Sequence, residues 1–273
     1  MAWAITLPLV IGMLSSATPL ARTAALLCGG TAGIGLATAK ALAAAGVPQI
    51  MVVGRTRARG DDALASLREA SSTAEVHFAA HDVATADGAE GAVADALAAF
   101  GRVDLLVNTG GGTGMPELFH RMPLQGLTDG LDGLLRGILM PSRAVLPHMM
   151  ERKGGVILNV ASDAGKLATP GEAVIGAGMA GVMMFTRALA LEAKRDGVRV
   201  NCLTPSIVRG TPLYDELMAH HFASKIFAKA EQMASLGVVD ADELAQLAVF
   251  LASPEASKMS GQCISMNGGI SMA

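Results

Sequence analysis

Cys28-Gly29-Gly30-Thr31-Ala32-Gly33-Ile34-Gly35 follows directly on the apolar run Ala24–Cys28 and opens into Leu36-Ala37-Thr38, the start of an Ala-rich helical stretch that reads to Ala45. A strand turning through glycines into a helix brings bare backbone to an edge where a pyrophosphate can meet the N–H groups and positive dipole end of the helix. Such a loop is weak on its own, because a tight strand-to-helix turn also needs glycine for packing. The flanking pattern decides. Apolar runs at Ile50–Val53 and Val76–Ala80 alternate with helical stretches at Asp61–Ala70 and Gly88–Phe100, and further runs follow at Leu105–Val107, Val156–Val160, Val198–Leu203 and Cys263–Met266. Strand, helix, strand at this spacing predicts one α/β domain on a doubly wound parallel sheet. The strands are apolar throughout rather than alternating, as expected of a sheet covered by helices on both faces.

Composition narrows the function classes. Of 273 residues, 51% are hydrophobic and 16% charged, which supplies a large core and excludes a disordered chain. The 24 acidic and 21 basic side chains leave no cationic surplus for a nucleic-acid partner. Cys28, Cys202 and Cys263 lie far apart, without metal-ligand spacing or a framework of paired bridges, so a reducing cytoplasm is expected. Pro8, Gly12, Ser15, Ser16, Thr18 and Pro19 interrupt the apolar start of the chain, which lacks the basic flank of a secretory signal and the unbroken length of a membrane span. Residues 1–22 therefore read as an apolar extension packed on the domain or on a neighbouring subunit, with a signal-like or membrane-touching segment as the alternative, and residues 23–273 as the domain. Within the domain, Arg209–Asp240 differs in character, with Gly210, Pro212 and the pair His220-His221, and reads as a lid. The histidines show no ligand spacing, so no metal is expected. No serine stands in a Gly-x-Ser-x-Gly setting, which argues against the common type of hydrolase.

The glycine loop, with three residues before Gly33-Ile34-Gly35, resembles the signature of the short-chain dehydrogenase/reductase family. Asp82-Val83 resembles the family's adenine-contacting pair, and Asn108-Thr109-Gly110-Gly111 its Asn-Asn-Ala-Gly turn with two positions altered. Val200–Ser206 looks like the stretch ending in Pro-Gly, and Leu251-Ala252-Ser253 through Gly261-Gln262 to Asn267-Gly268-Gly269 resembles the carboxyl end. The match runs in order over about residues 23–269. It implies a Rossmann-like fold, a nicotinamide cofactor held by Gly29, Thr31, Gly33, Ile34, Gly35, Asp82, Val83, Asn108 and Gly110, and a carboxamide held by backbone groups of Ile207 and Val208 and the hydroxyl of Thr211. It also implies a homo-oligomer, commonly a tetramer, for which Ala177–Leu191 offers a small and apolar surface. Arg55 ends the second strand where NAD-preferring members carry an acid, so a guanidinium there favours the 2′-phosphate of NADP(H). A solvated arginine in the run Arg55, Arg57, Arg59 is the alternative.

At the catalytic end the resemblance breaks. Ser162 sits where the family places its carbonyl-orienting serine. The tyrosine expected 13 positions on is Ile175, the lysine four further is Met179, and the asparagine position before Arg136-Gly137 is Leu134. Three of the four expected groups are apolar, and Tyr214 is the only tyrosine in the chain. Reducing a neutral ketone makes an alkoxide, which needs an acid or a strong oxyanion partner in a dry pocket. An iminium ion takes hydride with loss of charge and needs neither. Asp163 could pair with a cationic substrate, or could cap its turn or pair with Lys166. Leu134, Ile175, Met179, Leu213, Tyr214 and Met218 would line a pocket for an apolar, cation-bearing small molecule. Core packing is the alternative for these positions, as it is for Met183. The expected activity is an NADPH-dependent reductase acting on an activated C=N or conjugated C=C bond, with a linked cyclisation in prospect. A non-redox cyclase or lyase that keeps NADP as a fixture, and a silent cofactor-binding scaffold subunit, are the competing readings.

Overall fold

Ala24–Cys28 (β1) forms the middle of the molecule because all five of its residues are buried. The computed structural model describes residues 20–111 and 114–272, and the 1–19 part of the apolar extension lies outside them. The chain continues through α1 (Gly33–Ala44), β2 (Gln49–Gly54), α2 (Arg57–Ala70), β3 (Glu75–Ala80), α3 (Ala86–Phe100) and β4 (Leu105–Asn108). It then runs through α4 (Asp129–Glu151), β5 (Gly155–Val160), α5 (Ala173–Ala193) and β6 (Val198–Thr204). Seven strands form one parallel sheet in the order β3-β2-β1-β4-β5-β6-β9, the last being Cys263–Ser265. This is the Rossmann-like single domain that the alternating pattern predicts. Strand order reverses between β1 and β4, so a crevice opens at the carboxyl ends of these two neighbours.

The sheet carries a core on each face. Leu27, Leu42, Ile50, Leu67, Leu158, Leu244 and Leu251 pack on the side of α1 and α8 (Ala241–Ala252). Leu26, Val53, Leu106, Val145, Met149, Ile157 and Val200 pack on the side of α3 and α4. Each leucine-sized side chain removed from water contributes about 1.5–3 kcal/mol, so these two layers dominate the stability. Ala173–Asp196 is long and apolar enough to cross a membrane by composition, yet it carries Val182, Met183, Thr186 and Leu189 into the core. Its place is that of a core helix.

Between β6 and α8 the chain leaves the sheet as α6 (Pro212–Ala219) and α7 (Ala223–Met233), bracketed by the two-residue parallel pair β7 (Val208–Arg209) and β8 (Val239–Asp240). This excursion has its own apolar cluster of Ile207, Leu217, Ala223 and Phe227, with Tyr214 and Met218 packed against it.

Candidate active site

Register brings the candidate residues to one edge. Cys28 pairs with Asn108, Asn108 with Asn159, and Val160 with Leu203. The residues that follow these strands, Gly29, Thr109, Ser162 and Pro205, therefore stand in a row along the carboxyl edge of the sheet.

The glycine loop is a built cradle. Gly29 and Gly33 have φ of 82° and 51°, a region that disfavours side chains. A Cβ at Gly35 would overlap the carbonyl oxygen of Gly29 and lie 2.5 Å from Thr109 Oγ1. Thr109 in turn donates to the Cys28 carbonyl at 3.1 Å, tying the loop after β4 to the loop after β1. Helix α1 begins at Gly33 with no side-chain cap among the described residues and no acid in its first turn, which leaves its leading N–H groups open to an anion. Thr31 packs on Gly54, whose added Cβ would lie 2.9 Å from Thr31 Cγ2. The next residue, Arg55, is exposed beside this loop, whereas Arg57 is stacked 5.7 Å over the Phe78 ring. These residues fit a dinucleotide, with a phosphate-sized anion at the helix start and a cation near its ribose end. Ile34 packs on the core, Val83 is buried, and the Asp82 carboxylate accepts from the Ala84 N–H at 3.1 Å.

Two residues expected to hold the cofactor make side-chain bonds within the chain. Asn108 turns its side chain away from the cradle into a buried network, donating to Asn159 Oδ1 at 2.9 Å and Ser142 Oγ at 3.0 Å. Asn159 passes the chain on to Thr186 at 2.9 Å. The amide therefore bonds α4, β4, β5 and α5 together, and its own Oδ1 is buried without a partner among the described residues. Thr211 likewise spends its hydroxyl within the chain, donating to the Val208 carbonyl at 3.0 Å and accepting from the Tyr214 N–H at 3.1 Å as the cap of α6. Its methyl side faces the cradle instead, 3.4 Å from where a Gly33 Cβ would stand. Ile207 and Val208 are buried at the root of the same excursion. Gly110 and Gly111 touch α4 closely, an added Cβ at Gly137 lying 2.8 Å from the Gly110 oxygen.

Ser162 follows β5 and caps the short 3-10 turn Asp163–Gly165, its Oγ accepting from the Ala164 N–H at 3.2 Å. Helix α5 is seated on that turn. A Cβ at Gly176 would lie 2.7 Å from the Ala164 oxygen, and one at Gly165 would collide with Met183. Ile175 and Met179 occupy successive turns of this seated segment. Leu134 is wedged between the two neighbouring elements: an added Cβ at Gly111 would lie 3.1 Å from its Cα, and one at Gly178 3.0 Å from its Cδ2. Leu134 is buried with Ile138, Ala161, Val182 and Met183, and Met179 packs against that cluster. Leu134 and Met183 are therefore core residues that back the site.

Asp163 is tied to the carboxyl-terminal segment. Its carboxylate is buried and accepts from Ser265 at 2.8 Å, from Ser271 at 3.0 Å and from the Asn267 amide. Three donors from the carboxyl-terminal segment hold it, so it positions the Ser162 turn, and its burial sets it back from a cationic substrate. Lys166 does not pair with it directly but donates to Ser265 Oγ at 2.8 Å and to the Cys263 carbonyl at 2.9 Å. Tyr214 is also committed, donating to Glu231 at 2.8 Å, with Arg209 on the same oxygen at 3.3 Å. Met218 packs into the cluster of the excursion, while Leu213 is exposed.

Sequence reasoning passed over Glu172. It immediately precedes Ala173 at the head of α5, and burial pushes its carboxyl pKa up, opposed by a hydrogen bond with Thr169. Only its place one turn before Ile175 could have drawn attention to it.

Residues 23–221 match the family model for short chain dehydrogenases. The chain belongs to the short chain dehydrogenase family. It is an oxidoreductase of that family. The 3-oxoacyl-[acyl-carrier-protein] reductase of Synechocystis sp. is 32% identical to this short chain dehydrogenase, over 93% of its chain and 99% of the relative. A probable 2,4-dienoyl-CoA reductase of Bacillus subtilis is also 32% identical, over 91% and 96% of the two chains. A solved NADPH-bound short chain oxidoreductase from Pseudomonas aeruginosa PAO1, described as containing an atypical catalytic center, superposes with a TM-score of 0.84 at 26% identity, covering 93% and 98% of the two chains.

Proposed function

We propose that this short chain dehydrogenase is an NADP(H)-dependent reductase that works without the family's phenol acid, on an activated C=N (iminium) or conjugated C=C bond of an apolar small molecule. The reading is supported by the count forward from Ser162, which brings Ile175 and Met179, at the head of the helix α5 seated on the Ser162 turn, to the positions where the resemblance expects tyrosine and lysine. The cradle of Gly29, Thr31, Gly33 and Gly35 with the start of α1 holds the pyrophosphate, and Arg55 selects the 2′-phosphate. When bound, the cofactor supplies a hydride. Ser162 is the polar group left to orient the acceptor, Ile175 excludes water beside it, and Leu213 closes the mouth from the excursion over the edge.

Reduction of a plain ketone leaves a charge that these walls cannot neutralise, whereas an iminium loses its charge as hydride arrives. Two relatives support this direction, one named for a dienoyl reductase and one bound to NADPH with an atypical centre. A pocket that holds two ends of a flexible substrate together would extend the reaction to a following cyclisation. The working form is a cytoplasmic homotetramer, with the exposed Met184 and Leu191 of α5 at a subunit contact, and light scattering on the eluted protein measures that mass.

The deciding experiment follows NADPH consumption against cyclic imines, conjugated enones and simple ketones. Turnover of an imine or enone, with ketones slower by about 10²-fold or more, is expected from the missing general acid. Fast, stereospecific reduction of simple ketones would overturn the reading.

A further inference from the structure

Strands β6 and β9 place Cys202 directly opposite Cys263 in parallel register. Adjacent strands lie about 4.8 Å apart, inside the roughly 4.4–6.8 Å window of Cα separations that a disulfide spans. Directly paired residues also point to the same face of the sheet, and both side chains belong to the cluster of Val182 and Met183. The Cys202 Sγ donates to the Leu203 carbonyl at 3.6 Å and the Cys263 Sγ to the Met183 carbonyl at 3.8 Å, and each thiol perturbs the titration of the other. Cys202 is fully buried, whereas Cys263 is partly open at the edge of the sheet. Arg187 of α5 approaches the Cys263 sulfur, and Lys166, which donates to the Cys263 carbonyl at 2.9 Å, adds a second cation.

We propose that Cys202 and Cys263 form an oxidisable dithiol, in which Cys263 is attacked first by a hydroperoxide and Cys202 resolves it to a reversible disulfide. The neighbouring Cys202 thiol, with Arg187 and Lys166 nearby, lowers the Cys263 thiol to about 7 against its partial burial. That shift favours the reactive thiolate of Cys263. That thiolate attacks one peroxide oxygen. The O–O bond breaks, hydroxide leaves and takes up a proton as water, and Cys263 becomes a sulfenic acid. The Cys202 sulfur then displaces the hydroxyl from the Cys263 sulfur, forming the S–S bond, and its proton leaves with that hydroxide as a second water. The two sulfurs lose two electrons and the peroxide gains them. Cys28 supplies an internal control, because burial pushes its thiol up to about 12.

The reduced full-length protein is treated with a small molar excess of hydrogen peroxide, quenched with acid, alkylated after denaturation and mapped by mass spectrometry. The expected product is a cross-link between the peptides holding Cys202 and Cys263, lighter by two hydrogens and reversed by dithiothreitol, with Cys28 fully alkylated. In Cys202→Ala, a dicarbonyl probe should trap Cys263 as its sulfenic acid, and Cys263→Ser should leave Cys202 unoxidised. Survival of both thiols in the wild-type protein at peroxide doses that oxidise glutathione would overturn the proposal, as would oxidation of Cys263 to sulfinic acid with no cross-link.

Discussion

Ser265 donates its hydroxyl to the carboxylate of Asp163 at 2.8 Å, joining two residues 102 positions apart. Lys166 donates to the same Ser265 oxygen at 2.8 Å, so one serine on β9 fastens both ends of the turn that follows Ser162. The next residues extend the grip, since Asn267 and Ser271 hold the other oxygen of Asp163, and Gly268 accepts from the Leu236 N–H at 2.9 Å at the foot of the excursion. The carboxyl end of the chain is thereby the strap that sets the position of the Ser162 turn relative to α6 and α7.

Asp163→Asn should cost stability rather than a step of chemistry. One carboxylate oxygen becomes an NH₂ group facing either Ser265 or the Asn267–Ser271 pair, leaving a donor-to-donor contact in a buried site, and the negative charge that all three donors serve is lost. Hydrogen bonds to a charged acceptor contribute about 1.5–3 kcal/mol each, so a loss of about 2–4 kcal/mol in urea unfolding is expected, with NADPH affinity changed less than about threefold. A variant as stable as the wild type would show that the three contacts do not hold the turn.

Gly35→Ala tests the cradle. The new methyl would strike the Gly29 oxygen and stand 2.5 Å from Thr109 Oγ1, both backed by the β1 and β4 strands. Overpacking of this kind costs about 1–3 kcal/mol, and the relief available is displacement of the loop itself. Fluorescence titration should show dinucleotide affinity falling at least about tenfold. Unchanged affinity would place the pyrophosphate elsewhere.

Arg55→Asp separates the two nicotinamide cofactors. Arg55 is exposed next to the Gly54–Thr31 contact, and a carboxylate there would repel a 2′-phosphate while accepting ribose hydroxyls. NADPH binding should weaken by about tenfold or more relative to NADH, about 1.4 kcal/mol of selectivity. Equal losses for both would return Arg55 to the solvated run it shares with Arg57 and Arg59.

What the sequence made legible follows spacing along the chain. The glycine loop and the β1 turn are contiguous, and Ile175 and Met179 are found by counting forward from Ser162 at the spacing the family resemblance implies. The parallel sheet followed from apolar runs buried on both faces. The partners of Asp163, the pairing of Cys202 with Cys263 and the inward turn of Asn108 were not legible, since each depends on register between strands far apart in sequence. The two-residue strands β7 and β8 were invisible for another reason: two residues carry no periodicity. Helix α2 begins at Arg57, four residues before the stretch that composition marked, because its first turn is exposed and basic.

Glu172 gives the protein a pH signature with a defined sign. Its folded pKa is raised by burial above the ordinary carboxylate value, so ionising it opposes the native state. Below the unfolded value the group is protonated in both states and costs nothing. As pH rises through the raised folded value, the native state loses stability relative to a variant that cannot ionise. Glu172→Gln should match the wild type in melting temperature at low pH and exceed it at pH 7. A gap that closes toward neutral pH would reverse the assignment.

Tyr214 is the one phenol in the chain, and the structure gives it a holding role. Its hydroxyl donates to Glu231 at 2.8 Å, and Arg209 shares that oxygen at 3.3 Å, pinning α6 to α7 and both to the end of β7. For the phenol to serve as an acid it would have to leave this contact and reach Ser162. Tyr214→Phe removes the hydroxyl and leaves the ring in its cluster with Leu217 and Phe227, while Glu231 keeps Arg209. Loss of one such bond costs about 0.5–1.5 kcal/mol, so a small drop in melting temperature is expected. The rate with the best imine or enone should stay within about twofold, with the same pH profile. A fall of about 10²-fold, together with loss of a basic limb in that profile, would make Tyr214 the missing acid and reopen ketone reduction as the chemistry of this site.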